Sequence, residues 1–179
     1  MSEVIISQHR PLSRQTVTAE EMVSRVGRAL LTKVRLTPKP GLVDIRNAGA
    51  HRDMDLATFE ASTAVVAPWM EKFFIMGHDT ANITPEQVLT MLRPVGMACE
   101  TDMLEATGGV NTHRGAIFAF GLLCAAAGRL VARGEPVEQH RVCDQVARFC
   151  RGLVARELSS SEGKKVSKGE GHFLRYGLS

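Results

Sequence analysis

An uninterrupted apolar run from Gly115 to Gly128, with an arginine directly before and after it, limits the folds open to this chain. A transmembrane helix needs about 20 apolar residues, so the run is about five residues short of a membrane span. Its alanines and leucines favour a helix over a strand. A segment of this kind has no polar face for solvent. The run therefore predicts a buried core helix, the most buried element of the fold.

The composition agrees with a helical protein. The chain has 179 residues, of which 44% are hydrophobic but only 5% aromatic, and strands prefer aromatic and β-branched residues. The net charge of +3 is too small to indicate nucleic acid or a membrane surface as a partner. The four cysteines lack any CxxC spacing, and residues 1–11 do not form a signal peptide. We expect a soluble cytoplasmic protein with reduced cysteines.

Helix start and stop signals predict an all-α, multi-helix bundle. The expected spans are about 18–36, 53–77, 84–106, 112–133 and 137–158. Pro68 is expected to bend or break the second helix and Pro94 to interrupt the third. Asn111 or Thr112 is expected to cap the fourth helix.

Three regions follow from these signals. We expect residues 1–16 to form a flexible arm, 17–158 a helical domain, and 159–179 a mobile linker with a short terminal helix. That last helix has nothing after it to pack against, so the bundle is expected to be incomplete at its C-terminus.

The first cluster of reactive residues lies in the loop after the first helix, in the stretch TPKPGLVD. Lys39 offers a positive charge for a phosphate, and Gly41 allows a ligand to approach the backbone closely. A simple helix-ending turn with a solvated lysine explains the same residues.

The second cluster, NAGAHRDMD, lies at the start of the second helix. Asp53 and Asp55 are two residues apart, where one aspartate is explained by helix capping. His51 and Arg52 make the cluster denser in reactive groups than capping requires. A carboxylate pair suits Mg²⁺, which normally arrives with the phosphates of a nucleotide.

The third cluster surrounds the glycine break before the apolar helix. Its candidate residues are Glu100, Asp102, Gly109, Asn111, Thr112, His113 and Arg114. Exposed amide groups and the dipole at the helix start favour an anion there. The cluster therefore predicts a functional site in preference to capping alone.

Four stretches together resemble the triphosphoribosyl-dephospho-CoA synthases that serve citrate lyase and malonate decarboxylase. They are TPKPGLVD, NAGAHRDMD, RPVGMACETDM and GVNTHRGAIFAFGLLCAAAGRL, and the resemblance covers about residues 20–178. Family members continue into a Gly-Ala-Arg-Gly-Glu motif that this sequence lacks. The resemblance therefore implies an N-terminal portion of such an enzyme, with doubtful activity of its own.

The resemblance also implies a reaction. ATP and 3′-dephospho-CoA would give 2′-(5″-triphosphoribosyl)-3′-dephospho-CoA and adenine, and the product would pass to an acyl carrier protein. Asp53, Asp55, Glu100 and Asp102 would be the catalytic carboxylates, with His51 and His113 as proton carriers. Lys39, Arg52 and Arg114 would hold the triphosphate with Mg²⁺ on Asp53 and Asp55, and a homo-oligomer is compatible with the family. The roles of the individual carboxylates stay open.

Two other functions fit parts of the sequence. His51, His78, Asp79 and Asp102 could serve a helical metal-dependent phosphohydrolase, although His78-Asp79 also suits a solvated turn. A non-enzymatic helical module that holds a carrier protein or a partner subunit is the other alternative, and it predicts no nucleotide binding.

Overall fold

Five α-helices, and no strand, make up residues 17–153, the part of the chain that the computed structural model describes. They are α1 (Ala19–Arg35), α2 (Leu56–Asp79), α3 (Pro85–Ala106), α4 (Arg114–Ala132) and α5 (Gln139–Phe149). The predicted all-α class is confirmed. The predicted N-terminal arm, the linker and the terminal helix lie outside the described residues. The predicted last long helix ends earlier than residue 158, because α5 stops at Phe149 and Gly152, with a positive φ, turns the backbone.

The apolar run forms α4, which has more buried residues than any other described helix. Phe118 is nevertheless 53% exposed, so the first half of α4 keeps an apolar surface that the sequence did not predict. The cause is that α2, α3 and α5 pack on the other sides of α4. By length and composition alone α4 could also cross a membrane, a property shared by core helices of soluble proteins.

Glycines bring α2 and α4 unusually close. A Cβ atom added to Gly77 would overlap the backbone of Ala125, and one added to Gly128 would overlap the carbonyl oxygen of Phe74. Close backbone approach of this kind requires residues without a side chain. The two helices therefore form a single tightly packed unit at the C-terminal end of α2.

That end of α2 is held by two arginines from α4 and its C-cap. The fully buried guanidinium of Arg129 donates to the carbonyl oxygens of Thr80 and Ile83, both at 2.5 Å. Arg133 donates to the carbonyl oxygen of Ala81 at 2.7 Å. These bonds hold carbonyl groups of the C-cap residue Thr80 and of the loop that follows it.

Both internal prolines lie within continuous helices, so the predicted breaks are wrong. Pro68 is inside α2 and Pro94 inside α3. A proline removes one backbone hydrogen bond, and the buried residues on both sides of each proline keep the helix together. α2 therefore runs unbroken from the loop that contains the first two clusters to the arginine-bound end.

Candidate functional site

The loop between α1 and α2 is organised by a buried carboxylate. Asp44 accepts hydrogen bonds from the backbone amides of Arg46 at 2.7 Å, Asn47 at 3.1 Å and Lys39 at 3.3 Å. These bonds, above all the one from Arg46, lower the pKa of Asp44 to about 2. A carboxylate ionised in this way fixes the loop.

The first two sequence clusters pack directly on each other within this loop. The amide of Ala50 donates to the carbonyl oxygen of Gly41 at 3.1 Å. Gly49 has a positive φ of 60°, and a Cβ there would come within 2.6 Å of the backbone of Gly41 and Leu42. Two stretches that the sequence analysis treated separately therefore form one surface.

Lys39 is occupied by the end of α1. Its Nζ donates to the carbonyl oxygens of Lys33 at 2.8 Å and Val34 at 3.1 Å, and burial lowers its pKa. This contact caps α1 at its C-terminus, where a cation also interacts favourably with the helix dipole.

The second cluster surrounds a cavity of about 270 Å³ at the N-terminus of α2. Asp55 is the N-cap, and its Oδ1 accepts from the amide of Thr58 at 2.8 Å and from the Thr58 hydroxyl at 2.7 Å. The amide bond first, and then the hydroxyl bond, lower the pKa of Asp55. The other lining residues are Ala48, His51, Arg52, Asp53 and Met54.

His51 and Asp53 face each other beside this cavity. The distance between Nδ1 of His51 and Oδ1 of Asp53 is 3.7 Å, and the Asp53 side chain is 62% exposed. Arg52 is exposed and has no hydrogen bond or ion pair with residues 17–153. The cavity therefore presents an imidazole, two carboxylates and a guanidinium to solvent.

A serine that the sequence analysis missed connects the second cluster to the third. Ser62 is fully buried in α2, and its Oγ lies 2.7 Å from Nδ1 of His113 and 2.7 Å from the hydroxyl of Thr112. We call these three residues the Ser62 junction. The spacing of seven residues from Asp55 was the available signal, because it places both residues on one face of a helix.

His113 is an interior residue. Its side chain is 2% exposed, and the ring of Phe59 meets it edge-on with a centroid distance of 5.1 Å. Burial, and to a lesser extent Lys33, lowers the pKa of His113 to about 4, so the imidazole is neutral at pH 7. Oγ of Ser62 accepts from the Thr112 hydroxyl and shares a second hydrogen bond with Nδ1 of His113.

Other members of the third cluster have partners of their own. Arg114 forms an ion pair with Glu100. Asp102 accepts from Nε1 of Trp69 at 2.8 Å, and Nζ of Lys72 lies 3.6 Å from the Trp69 ring centroid. Trp69 follows Ser62 by two helical turns, about 10 Å along α2. The side chain of Asp102 therefore lies away from the cavity.

The N-terminus of α4 differs slightly from its prediction. His113 is the N-cap residue and its side chain does not cap the helix. Oδ1 of Asn111 instead accepts from the amide of Arg114 at 3.1 Å. Gly109, with a φ of 89°, donates to the carbonyl oxygen of Leu104 and closes α3. Asn111 and Gly109 therefore shape the turn that presents Thr112.

The carboxylates fit magnesium only in the company of phosphates. Within residues 17–153, no group of three or more His, Cys, Asp or Glu side chains is arranged to hold a metal. Asp53 and Asp55 are both at the cavity, and Mg²⁺ is commonly bound by one or two carboxylates together with substrate phosphates and water. The donor set therefore suits a metal that a nucleotide brings.

The phosphohydrolase arrangement is not present. His78 lies at the opposite end of α2 from Asp55, about 34 Å along the helix axis. His78 and Asp79 contact each other at 3.1 Å on the surface. Their separation from His51 removes the shared metal site that this alternative needs.

The fold and the cavity define an all-helical protein with a polar site at the N-terminus of α2. Comparison with known proteins places it further: the chain belongs to the CitG family, ATP:dephospho-CoA triphosphoribosyl transferase, which matches residues 19–179. No solved structure matches the chain.

Curated relatives agree with this family. A 2-(5″-triphosphoribosyl)-3′-dephosphocoenzyme-A synthase of Klebsiella pneumoniae is 79% identical over 179 residues, which are 100% of this chain and 59% of that protein. The synthase of Escherichia fergusonii is 60% identical over 180 residues, again 100% of this chain and 59% of that protein. A probable synthase of Pectobacterium carotovorum is 48% identical over 178 residues, covering 99% and 58%. The chain thus spans about 59% of the length of these relatives.

Proposed function

We propose that this protein serves the transfer of the triphosphoribosyl group of ATP to 3′-dephospho-CoA, with release of adenine. The family and the names of the relatives support this reaction. The observation that supports the assignment of the site is the Ser62 junction, because it ties the start of α4 to α2 about two helical turns from Asp55 at the cavity.

The reaction breaks the bond between C1 of the ATP ribose and adenine, and forms a bond from C1 to a ribose hydroxyl oxygen of dephospho-CoA. Positive charge develops on the ribose ring in the transition state, so a carboxylate beside it stabilises that state. Asp55 is suited to this role because its lowered pKa keeps it ionised. The same lowered pKa makes it a weak proton acceptor.

We assign proton transfer to the His51–Asp53 pair. The attacking hydroxyl must lose a proton and the departing adenine must gain one. Both side chains line the cavity and lie 3.7 Å apart. The neutral, buried His113 instead acts as a positioning residue that holds the Thr112 hydroxyl through Ser62.

Arg52 is the cation that we assign to the triphosphate. It lines the cavity, whereas Lys39 is bound to carbonyl oxygens and Arg114 to Glu100. The start of α4 adds backbone amides that favour an anion. Magnesium carried by the phosphates would bind Asp53 and Asp55 and neutralise phosphate charge.

The cellular setting follows from the same proposal. The product would be the precursor of the prosthetic group of an acyl carrier protein, made in the cytoplasm. We expect no contact with nucleic acid or membrane, and a homo-oligomer fits the proposal.

Mass spectrometry of products from ATP and dephospho-CoA tests the reaction, and ATP calorimetry tests binding separately. Asp55→Asn keeps a good helix cap but removes the charge, so it should retain the fold and lower adenine release about 100-fold or more. Asp102→Asn is the matched control and should change the rate by less than about threefold, because an amide still accepts from Trp69.

Two results would contradict the proposal. If Asp102→Asn abolishes release while Asp55→Asn does not, the site lies nearer Trp69 than we propose. Absence of ATP binding by a folded chain would favour the interaction module.

A further inference from the structure

A second cavity, of about 320 Å³, opens between α3 and α4 on the apolar surface around Phe118. Its walls are apolar apart from Arg93, and the lining residues are Phe73, Leu89, Leu92, Gly96, Ile117, Phe118, Leu122 and Leu153. Beside it, Met97 is 68% exposed and follows Arg93 by one helical turn. Large exposed apolar side chains around an apolar cavity indicate a surface that another segment covers.

The chain itself leads into this cavity. α5 ends at Phe149, and Gly152, with a φ of 68°, turns the backbone after it. Leu153, the last described residue, is part of the cavity wall. The residues that follow therefore begin at the cavity, whichever direction they take.

The sequence after Leu153 contains one concentrated apolar stretch. Between a long polar tract and the end of the sequence, Phe173, Leu174, Tyr176 and Leu178 provide four large apolar side chains within six residues. We call residues 173–178 the tail segment. Phe173 lies twenty positions after Leu153, and this length of chain spans about 30 Å even as a helix. The connection is therefore long enough to return to any part of the cavity.

We propose that the tail segment of the same chain occupies the cavity between α3 and α4. Burial of an aromatic side chain against Phe73 and Phe118 provides the stabilisation, since aromatic residues bury the largest apolar areas. A tethered segment has an effective concentration in the millimolar range, about a thousand times that of a second copy at micromolar protein. The intramolecular contact therefore prevails over a contact between two copies.

Disulfide trapping in the full chain tests this placement. Cys143, the exposed cysteine among the described residues, is first replaced by serine. Phe118→Cys with Tyr176→Cys should then form an intramolecular disulfide under mild oxidation, found by peptide mapping of the monomer. The control pairs Tyr176→Cys with Ile75→Cys, which is 45% exposed and points to a different side of α2 from Phe73.

We expect at least about tenfold more disulfide in the Phe118 pair than in the Ile75 pair, since proximity raises effective concentration. Equal trapping of both pairs, or no trapping, would overturn the proposal. Disulfide-linked dimers in place of monomers would show that a second copy occupies the cavity.

A measurement without new cysteines provides an independent check. Phe173→Ser with Tyr176→Ser should empty the cavity and increase the fluorescence of an apolar dye such as ANS severalfold. Lys164→Ser with Lys165→Ser, in the polar tract, should not. If both double variants bind the dye as the parent chain does, the cavity is not covered by the tail segment. Neither readout depends on the proposed reaction.

Discussion

The two ends of the α2–α4 pair both bury polar side chains, but they satisfy them in different ways. At the C-terminal end of α2, the guanidinium of Arg129 is bound by the backbone carbonyls of Thr80 and Ile83. At the other end, Ser62, Thr112 and His113 bond to one another through their side chains. Hydrogen bonds to backbone carbonyls satisfy the buried charge of an arginine within the protein. A network of side chains near an open cavity instead holds polar groups in position for a ligand.

The largest expected effect is at the close contact of the first end. Gly128→Ala should destabilise the fold by about 3 kcal/mol or more, because the new Cβ meets the backbone of Phe74, which cannot move aside. Gly115→Ala is the control. It has no atom within 4 Å of the new Cβ and should stabilise α4 by about 0.5 kcal/mol. Urea unfolding of both variants measures the difference. Equal stability of the two would show that the helices are not in backbone contact.

The buried arginine should be nearly as important. Arg129→Met should cost about 3 kcal/mol, because it removes two hydrogen bonds from a buried guanidinium to the carbonyl oxygens of Thr80 and Ile83. Arg133→Met, which removes a more exposed arginine bound to the same loop, should cost about 1 kcal/mol. Denaturant titrations of the two variants give the comparison. A smaller loss for Arg129 than for Arg133 would mean that water replaces the guanidinium.

At the other end of the pair, His113 should make the free energy of unfolding depend on pH. The pKa of His113 is lowered to about 4 in the folded protein, and an unfolded histidine has a pKa of about 6.5. The unfolded state therefore binds a proton first as pH falls. Stability is complete above about pH 6.5 and decreases as the pH is lowered towards 4, with a loss of about 2 kcal/mol between pH 7 and 5. Asp44 and Asp55, whose pKa values are lowered, affect stability only at lower pH.

Unfolding free energies at pH 7 and 5 check this expectation. His113→Gln should remove most of the pH dependence, while His140→Gln, at an exposed position, should leave it unchanged. An unchanged pH slope in the His113 variant would show that another group is responsible.

The smallest expected effect is a coupling energy, which tests whether the two ends of the pair are energetically independent. Ser62→Ala and Thr112→Val should show a coupling energy of about 1 kcal/mol in a double-mutant cycle, since their hydroxyl groups share a hydrogen bond. Ser62→Ala and Arg133→Met, at opposite ends of α2, should be additive within about 0.5 kcal/mol. Coupling between the distant pair would mean that α2 transmits strain along its length.

Much of the fold was readable in the sequence because it depends on local chemistry. The capping box of Thr18 and Glu21 starts α1 as predicted, and Asp55 caps α2. The apolar run from Gly115 to Gly128 predicted a core helix, since it has no polar face for solvent and is about five residues short of a membrane span. The motif sequences were enough to predict the family, because four stretches agree in order and spacing.

Tertiary structure decided the rest, because those features depend on which residues meet across the chain. Packing kept α2 and α3 continuous through Pro68 and Pro94. The fold brought Asp102 into hydrogen-bond contact with Trp69. It also placed Ser62 between Thr112 and His113, which are about fifty residues away in the sequence. The seven-residue spacing from Asp55 places Ser62 on the same face of α2, but it does not identify the residues that Ser62 contacts. Its role exists only because α2 and α4 approach closely enough to bury their polar groups against each other.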